Sequence, residues 1–242
     1  MKTSNKAIAT SLLLLGMASG AVAGPYTIDD DGADMYIGQG TDGNGNSLGD
    51  VFGTSQYEVF GMDVSNDLST LFVTVYTNFD ELKNADYDYG DLFIDTDGWS
   101  PDGTAGSQYA DDNNSNQGNW DYAVDVSSLV GGFASLIDLD GATLLNTSAV
   151  STRENQEVAY LSGGSVAGSA GLSINAGTSL SFQIALADLG LNALGNNEVG
   201  FRWTMTCAND VVEGAANVPE PGTLALLGLG LLGLGLRKRV KS

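Results

Sequence analysis

Apolar and polar residues alternate in many short runs along residues 24–217, and clusters of Gly, Asn, Asp and Ser separate these runs. A period of two places alternate side chains on opposite faces of a β-strand, as in Phe182, Ile184 and Leu186 with Ser181 and Gln183 between them. Strands are predicted at 33–37, 57–64, 70–77, 90–95, 121–126, 133–137, 143–145, 158–162, 180–186 and 199–206. Such spacing is typical of an all-β domain, so we predict a single antiparallel β-sandwich of the jelly-roll type.

Four stretches refine this picture. Residues 71–76 are almost continuously apolar, which predicts a central strand covered on both faces. Residues 162–179 are rich in Gly, Ser and Ala, so a loop or sheet edge is expected there. Residues 187–194 suit a single helical turn, and Asn209-Asp210 suits a turn between the last two strands.

The first 23 residues have a different pattern. Lys2 and Lys6 precede an apolar run over residues 7–18, and the small residues Ala21-Val22-Ala23 follow it. A basic start, an apolar run of this length and an A-x-A site are typical of a secretory signal peptide. The run is too short for a membrane span. We therefore predict that residues 1–23 direct export through the Sec translocon and that signal peptidase cleaves before Gly24.

Residues 218–242 have a third pattern, in which a Pro-Glu-Pro triplet precedes an uncharged Leu/Gly run over 222–236 and a basic end. Two prolines so close together disfavour helix and sheet, so the triplet is predicted to be extended and accessible. As a helix the apolar run would span about 22 Å, less than the roughly 30 Å hydrocarbon core, but flanking cations can reach the headgroups. The residues concerned are Pro219, Glu220 and Pro221 in the triplet and Arg237, Lys238, Arg239 and Lys241 at the end.

The basic end predicts the orientation of this short transmembrane helix. Cations stay on the cytoplasmic side by the positive-inside rule, so residues 24–217 would be held outside the inner membrane. An ordinary tail anchor or a core helix is the alternative, although a core helix would not end in four cations.

This stretch resembles the C-terminal signal of the PEP-CTERM proteins of Gram-negative bacteria, which have a Pro-Glu-Pro motif, a transmembrane stretch and an arginine-rich end. The resemblance covers residues 218–242, and the N-terminal signal peptide fits it. It implies processing near Pro219-Glu220-Pro221 by exosortase, a membrane-embedded, cysteine transpeptidase-like enzyme. The cargo domains of this class differ widely, and many are associated with extracellular polysaccharide and with biofilm or floc formation. The resemblance therefore implies no activity for residues 24–217.

Charge excludes one large class of partner. Six of the nine Lys and Arg residues lie in the two terminal segments, and only Glu220 of the 30 acids does. Residues 24–217 therefore hold 29 acids and three bases, a formal charge of −26. Phosphate binding needs clustered Lys and Arg, so nucleic acid is excluded as a partner. Self-repulsion at this charge would be relieved by bound cations, although a solvated acidic surface is the simpler alternative.

Missing residue types exclude several kinds of enzyme. The chain has no His and one cysteine, Cys207, so it can have neither the usual serine triad nor Cys–His catalysis nor an internal disulfide. Carboxylate pairs suited to glycoside hydrolysis arise by chance among 29 acids. We expect a protein that is not an enzyme, and a polysaccharide-acting hydrolase ranks third among the functional hypotheses.

One acidic loop predicts a metal site. Asp95, Asp97 and Asp102 lie within eight positions, together with the turn residue Gly98. Ca²⁺ takes six to eight oxygen ligands, and closely spaced acids on a flexible loop supply them. We predict a Ca²⁺ site on these three carboxylates. The alternative is that Asp, Asn and Gly only form turns between strands.

Aromatic residues in the same part of the chain suggest sugar binding, since flat rings can stack on the apolar faces of sugars. Trp99 in its turn-rich loop and Tyr109 are the predicted sugar contacts, whereas Trp120 is expected to lie in the core. The segments 57–79, 89–99 and 120–126 are similar in style to carbohydrate-binding sandwiches related to DOMON domains. That resemblance transfers no specific ligand residue.

These inferences combine into two hypotheses. The first is an exported, exosortase-processed protein of the cell envelope, surface or extracellular matrix, which contacts the inner membrane transiently and associates with exopolysaccharide. The alternative is a Ca²⁺-dependent carbohydrate-binding module.

Overall fold

The computed structural model describes residues 27–30, 51–67, 69–81, 87–99, 120–147, 156–191 and 197–218. Several predicted features lie outside these ranges: the signal peptide, the predicted strand at 33–37, Asp102, Tyr109 and everything from Pro219 onwards. Among the described residues, no helix has the length and apolar character needed to cross a membrane.

The described residues form twelve β-strands and two short 3-10 turns, Ser55–Tyr57 and Leu186–Leu189. The prediction of an antiparallel all-β domain is therefore confirmed. The strands are β1 Ile28–Asp29, β2 Val59–Asn66, β3 Thr70–Thr77, β4 Leu92–Asp95, β5 Tyr122–Val130, β6 Phe133–Asp138, β7 Thr143–Asn146, β8 Glu157–Ser162, β9 Ser165–Asn175, β10 Ser179–Ala185, β11 Asn197–Thr204 and β12 Val211–Val218.

Ten of these strands form one antiparallel sheet, here called the main sheet, in the order β1-β2-β3-β10-β9-β6-β5-β4-β11-β12, and β7 and β8 form a separate pair. The main sheet nearly closes on itself. A Cβ on Gly214 of β12 would lie 2.8 Å from the Cγ2 of Ile28 in β1, and the Asp210 carboxylate accepts a 2.6 Å hydrogen bond from the Val59 amide of β2. The two layers expected of a sandwich are thus opposite walls of one curled sheet.

The core lies inside this curl. Alternate positions of β10 and β11 point inwards as predicted, and Phe182, Ile184, Phe201 and Trp203 are almost fully buried. Strand β3 is central, between β2 and β10, but the prediction that both of its faces are covered is wrong. Its residues alternate between buried and half-buried because only one face of a single sheet meets the core.

The expected loop or edge at 162–179 is a second error, because residues Ser165–Asn175 form the long strand β9 between β6 and β10. Small residues signalled a loop because they pack poorly and favour turns. Here the two neighbouring strands supply hydrogen bonds along both edges of β9. Composition alone cannot reveal such non-local pairing.

The turn between β11 and β12 fastens the closing edge. The Thr204 hydroxyl donates to the Asp210 carbonyl at 2.6 Å, and the Asp210 carboxylate accepts from the amides of Val59 and Val211. Ala208 adopts a positive φ of 49° within this turn. The predicted turn at Asn209-Asp210 is confirmed, and Cys207 is buried as a small apolar residue. This segment therefore has a structural role.

Candidate functional site

An acidic cavity opens where three neighbouring strands end. Residues after β4, at the start of β5 and after β6 line a volume of about 520 Å³ that we call the acidic pocket. The backbone fixes this corner, since the Asp121 amide donates to the Ile94 carbonyl at 3.0 Å and the Leu139 amide donates to the Asp121 carbonyl at 2.8 Å. The lining residues are Thr96, Asp97, Trp120, Asp121, Tyr122, Asp138, Leu139 and Asp140.

Three carboxylates converge beside this pocket. Asp95, Asp97 and Asp121 each offer one oxygen, and these oxygens all lie within 4.8 Å of one another. Asp95 is buried, Asp121 is half-buried and Asp97 is exposed. We call this group the Asp triad. It presents hard oxygen ligands towards a common point, as a divalent cation such as Ca²⁺ requires.

Short hydrogen bonds hold the triad in place. The Thr96 amide and hydroxyl both donate to Asp121 Oδ2, at 2.9 and 2.6 Å, which ties the segment after β4 to the start of β5. The Asp97 amide donates to Asp95 Oδ1 at 3.1 Å. The geometry is thus fixed by the antiparallel neighbours β4 and β5.

Electrostatics in the triad is unfavourable without a cation. Burial raises the pKa of Asp95 to about 6, and the neighbouring carboxyl groups of Asp97 and Asp121 contribute to this increase. At neutral pH the Asp95 carboxyl group is therefore ionised at a cost in the free energy of folding. Tyr122 has a raised pKa as well, first through burial and then through Asp138 and Asp121. A bound cation would favour the ionised form of the three carboxyl groups.

The predicted Ca²⁺ ligands are partly brought together. Asp95 and Asp97 lie in the triad as expected, while Asp102 falls outside the described residues. Sequence reasoning missed Asp121, because this residue follows a long connection and becomes adjacent only when β4 and β5 pair. The signal that could have identified it is an acid at the start of the predicted strand 121–126.

Trp99 is fixed by a hydrogen bond, although its sequence context is typical of a turn-rich loop. Its side chain is half-buried, and its indole Nε1 donates to Glu213 Oε1 at 2.9 Å. It packs against two small apolar clusters and does not line the acidic pocket. Trp99 is therefore positioned by a buried acceptor on β12, and its predicted role as a sugar contact stays a prediction. Tyr109, the other predicted sugar contact, is outside the described residues.

Two other aromatic residues line the pocket instead. Trp120 is 9% exposed, as expected of a core residue, and its ring lies 6.1 Å from that of Phe93. Its indole N–H has no hydrogen-bond partner among the described residues. Tyr122 is half-buried at the start of β5. The pocket therefore combines carboxylates with aromatic surface.

A buried ion pair lies on β11 and β12 and is linked to Trp99. Arg202 and Glu213 are register partners on β11 and β12, are 2% and 3% exposed, and are joined by a 3.1 Å contact between Nη1 and Oε2. Arg202 also donates from Nη2 to Gln156 Oε1. Glu213 also accepts the hydrogen bond from Trp99, so this network holds the segment that follows Asp97.

A second buried carboxylate has a structural explanation. Asp91 is 2% exposed, and its two oxygens accept hydrogen bonds from the amides of Val126 and Tyr160 at 2.7 and 2.6 Å. Burial raises its pKa to about 7 in spite of these bonds, and Asp125 adds to the increase. Both oxygens are already occupied by backbone, so Asp91 joins β4, β5 and β8 and is closed to a substrate.

We expect the stability of the fold to increase as the pH falls from about 8 to about 5. The native state takes up a proton at Asp91 near pH 7, whereas the unfolded chain does so only near its ordinary value of 3.8. Stability from this group is therefore complete below the unfolded pKa and is lost as the pH rises through 7, with a slope of at most about 1.4 kcal/mol per pH unit.

Urea unfolding at several pH values measures this slope. Asp91→Asn should flatten it, even though the amide lowers stability overall by facing one backbone N–H with its own N–H₂ group. Asp188→Asn, which removes a charge within the 3-10 turn Leu186–Leu189, is the control and should keep the slope. An equal slope in wild type and Asp91→Asn would contradict the assignment.

Comparison with known proteins addresses the end of the chain. Searches against curated proteins and against solved structures gave no match. The similarity of the segments 57–79, 89–99 and 120–126 to DOMON-related sandwiches therefore stays a prediction. Residues 217–239 match the PEP-CTERM protein-sorting motif, which includes the Pro-Glu-Pro triplet, the apolar run and most of the basic end. This motif implies export, attachment at the cell envelope and processing by exosortase. The chain therefore carries a PEP-CTERM protein-sorting motif at residues 217–239, and this motif supports its assignment as an exosortase substrate.

Proposed function

We propose that the exported domain is a non-enzymatic module that binds exopolysaccharide through Ca²⁺ at the Asp triad and the adjoining acidic pocket. The convergence of three carboxylate oxygens within 4.8 Å carries this proposal. Under this proposal the protein acts in the extracellular polysaccharide matrix, next to the envelope to which its sorting motif directs it.

The donor set fits Ca²⁺. Asp95, Asp97 and Asp121 would hold the ion with one oxygen each, and the remaining places in its coordination shell suit water or sugar hydroxyls. The ion would supply positive charge to bind hydroxyl oxygens, and it would offset the raised pKa of Asp95. Soft or nitrogen-preferring metals fit this site less well, because the cluster holds neither Cys nor His.

The pocket beside the triad suits a saccharide. Its volume of about 520 Å³ falls within the usual range for small-ligand sites. Tyr122 offers aromatic surface for the apolar face of a ring, while Asp138 and Asp140 can accept hydrogen bonds from hydroxyl groups. Without a bound Ca²⁺ between the pocket carboxylates and an acidic sugar, the two negative charges repel each other. The pocket alone therefore favours a neutral, hydroxyl-rich polysaccharide over an acidic one.

The hydrolase hypothesis has weaker support. A glycosidase needs one carboxyl group with a raised pKa at the reaction centre. Burial raises the pKa of Asp91 to about 7, yet its oxygens bind backbone amides inside the fold. The mutually close acids of the triad are better suited to holding a cation than to dividing acid and base roles.

We expect Ca²⁺ to stabilise the mature exported protein. At a free concentration ten times the dissociation constant, the gain in unfolding free energy should be about 1.4 kcal/mol. Asp121→Asn should remove most of this gain. Asp95→Asn should also remove it while leaving the Ca²⁺-free protein at least as stable, since it deletes a buried charge. Urea unfolding with Ca²⁺ or with EGTA measures both effects.

Controls separate the site from general charge screening. Asp188→Asn removes a charge away from the triad and should respond to Ca²⁺ like wild type, and Mg²⁺ at the same ionic strength should stabilise less. Retention on immobilised host exopolysaccharide should require Ca²⁺ and should be lost in Asp121→Asn. Stabilisation that is equal in all variants, or retention that EGTA leaves unchanged, would overturn the proposal.

A further inference from the structure

Strand β12 and the sorting motif share residues. The matched motif begins at Asn217, whereas β12 continues to Val218. Val218 is 6% exposed and pairs with Asn197, and Ala216 is 4% exposed and pairs with Val199. The first two residues of the motif are therefore part of the folded main sheet, and Pro219 follows directly.

This overlap creates a conflict between folding and recognition. An enzyme that binds a peptide segment usually takes it in extended form, with free backbone groups and accessible side chains. In β12 the backbone of residues 216–218 is paired with β11, and the side chains of Ala216 and Val218 are buried. The same residues cannot satisfy both arrangements at once.

The position of β12 makes release feasible. It is the last strand in the order of the main sheet, and its regular ladder is with β11 alone. A terminal strand can open from its free end without breaking the other pairs, and such local opening costs less than global unfolding. The turn at Thr204–Asp210 keeps the opposite end of β12 fastened.

We propose that exosortase engages this protein only after residues 216–218 have left β11, so that the stability of the β12 end controls the rate of processing. The inference rests on the exosortase processing that the sorting motif implies. Folding of the exported domain then delays processing, and the chain stays anchored at the membrane until the strand end opens.

A spacer tests the requirement for release. Insertion of Gly-Ser-Gly-Ala-Asn-Val between Val218 and Pro219 leaves β12 intact and repeats the native residues in front of Pro219. Processing should then be faster by about fivefold or more, because the motif no longer depends on strand opening. The measurement is the rate of shortening of the full chain, by pulse-chase and intact mass, in cells with and without exosortase.

A lock tests the converse. The pair Val199→Cys and Ala216→Cys, in a Cys207→Ala background, joins register partners across β11 and β12. Processing of the oxidised protein should be at least about tenfold slower and should recover on reduction, since the cross-link prevents release. The Cys207→Ala protein alone is the matched control and should be processed at the wild-type rate.

The outcomes separate the inference from its basis. Faster processing of the spacer variant with slower processing of the lock supports strand release. Wild-type rates in both variants would overturn it while leaving exosortase processing intact. If neither wild type nor the spacer variant is shortened in cells that contain exosortase, the protein is not an exosortase substrate. The inference about strand release is then wrong as well.

Discussion

Replacement of Glu213 with Ala is expected to destabilise the fold by about 3–5 kcal/mol, because it leaves the Arg202 guanidinium buried without its counter-charge. Arg202 and Glu213 are 2% and 3% exposed, so water cannot take the place of the lost carboxylate. The 3.1 Å ion pair joins neighbouring strands at the closing edge of the main sheet. Gln156 also binds Arg202 but is uncharged and cannot neutralise it.

A double replacement distinguishes the loss of the counter-charge of Arg202 from the loss of packing around Glu213. Arg202→Met with Glu213→Leu removes both charges and keeps apolar volume, so it should recover most of the lost stability. Urea unfolding of the single and double variants measures the difference. A double variant as unstable as Glu213→Ala would show that packing, and not the orphaned charge, causes the loss.

Glu213→Ala should also affect the Asp triad. Trp99 loses the acceptor of its indole N–H, which removes one of the bonds that position residues 96–99 beside the bonds of Thr96 to Asp121. We therefore expect a weaker response to Ca²⁺ at temperatures where the variant is still folded. This coupling links the stability of the closing edge to the proposed binding site.

Local pattern predicted the strands well wherever neighbours along the chain decide the structure. Strand β3 has the predicted bounds, and the predicted alternation of Phe182 and Ile184 correctly identified the buried face of β10. In β11 both faces are covered, since Arg202 and Thr204 are buried together with Phe201 and Trp203. A period of two shows which residues share a face, but it does not show what covers the other face.

Features set by distant pairing could not be predicted. Strand β9 depends on β6 and β10, the triad depends on Asp121 meeting Asp95, and Trp99 depends on Glu213. Each involves residues far apart in the sequence. The sorting motif was predictable because it is a contiguous segment whose physical properties need no tertiary partner, and the match at residues 217–239 confirms it.

Gly90→Ala is expected to destabilise the fold by about 3 kcal/mol, the upper part of the usual range for overpacking. A Cβ at residue 90 would lie 2.1 Å from the Thr204 carbonyl oxygen and 2.5 Å from that of Val158. Both atoms are backbone, so neither can rotate away, and β11 and β8 would have to separate. The Gly90 carbonyl also accepts from the indole of Trp203 at 3.1 Å, which prevents a simple shift of the residue.

Gly171→Ala is the matched control for this substitution, because both glycines lie in extended backbone rather than at positive φ. A Cβ at Gly171 would meet the Cβ of Gln183 at 3.4 Å, an ordinary contact with a side chain. Its cost should stay below about 1 kcal/mol, since Ala replaces a glycine within a strand. Thermal and urea unfolding of the two variants compare these costs. Equal stability of the two variants would mean that the carbonyl oxygens of Thr204 and Val158 do not lie this close to Gly90. The packing of β8 and β11 around Trp203 would then differ from this arrangement.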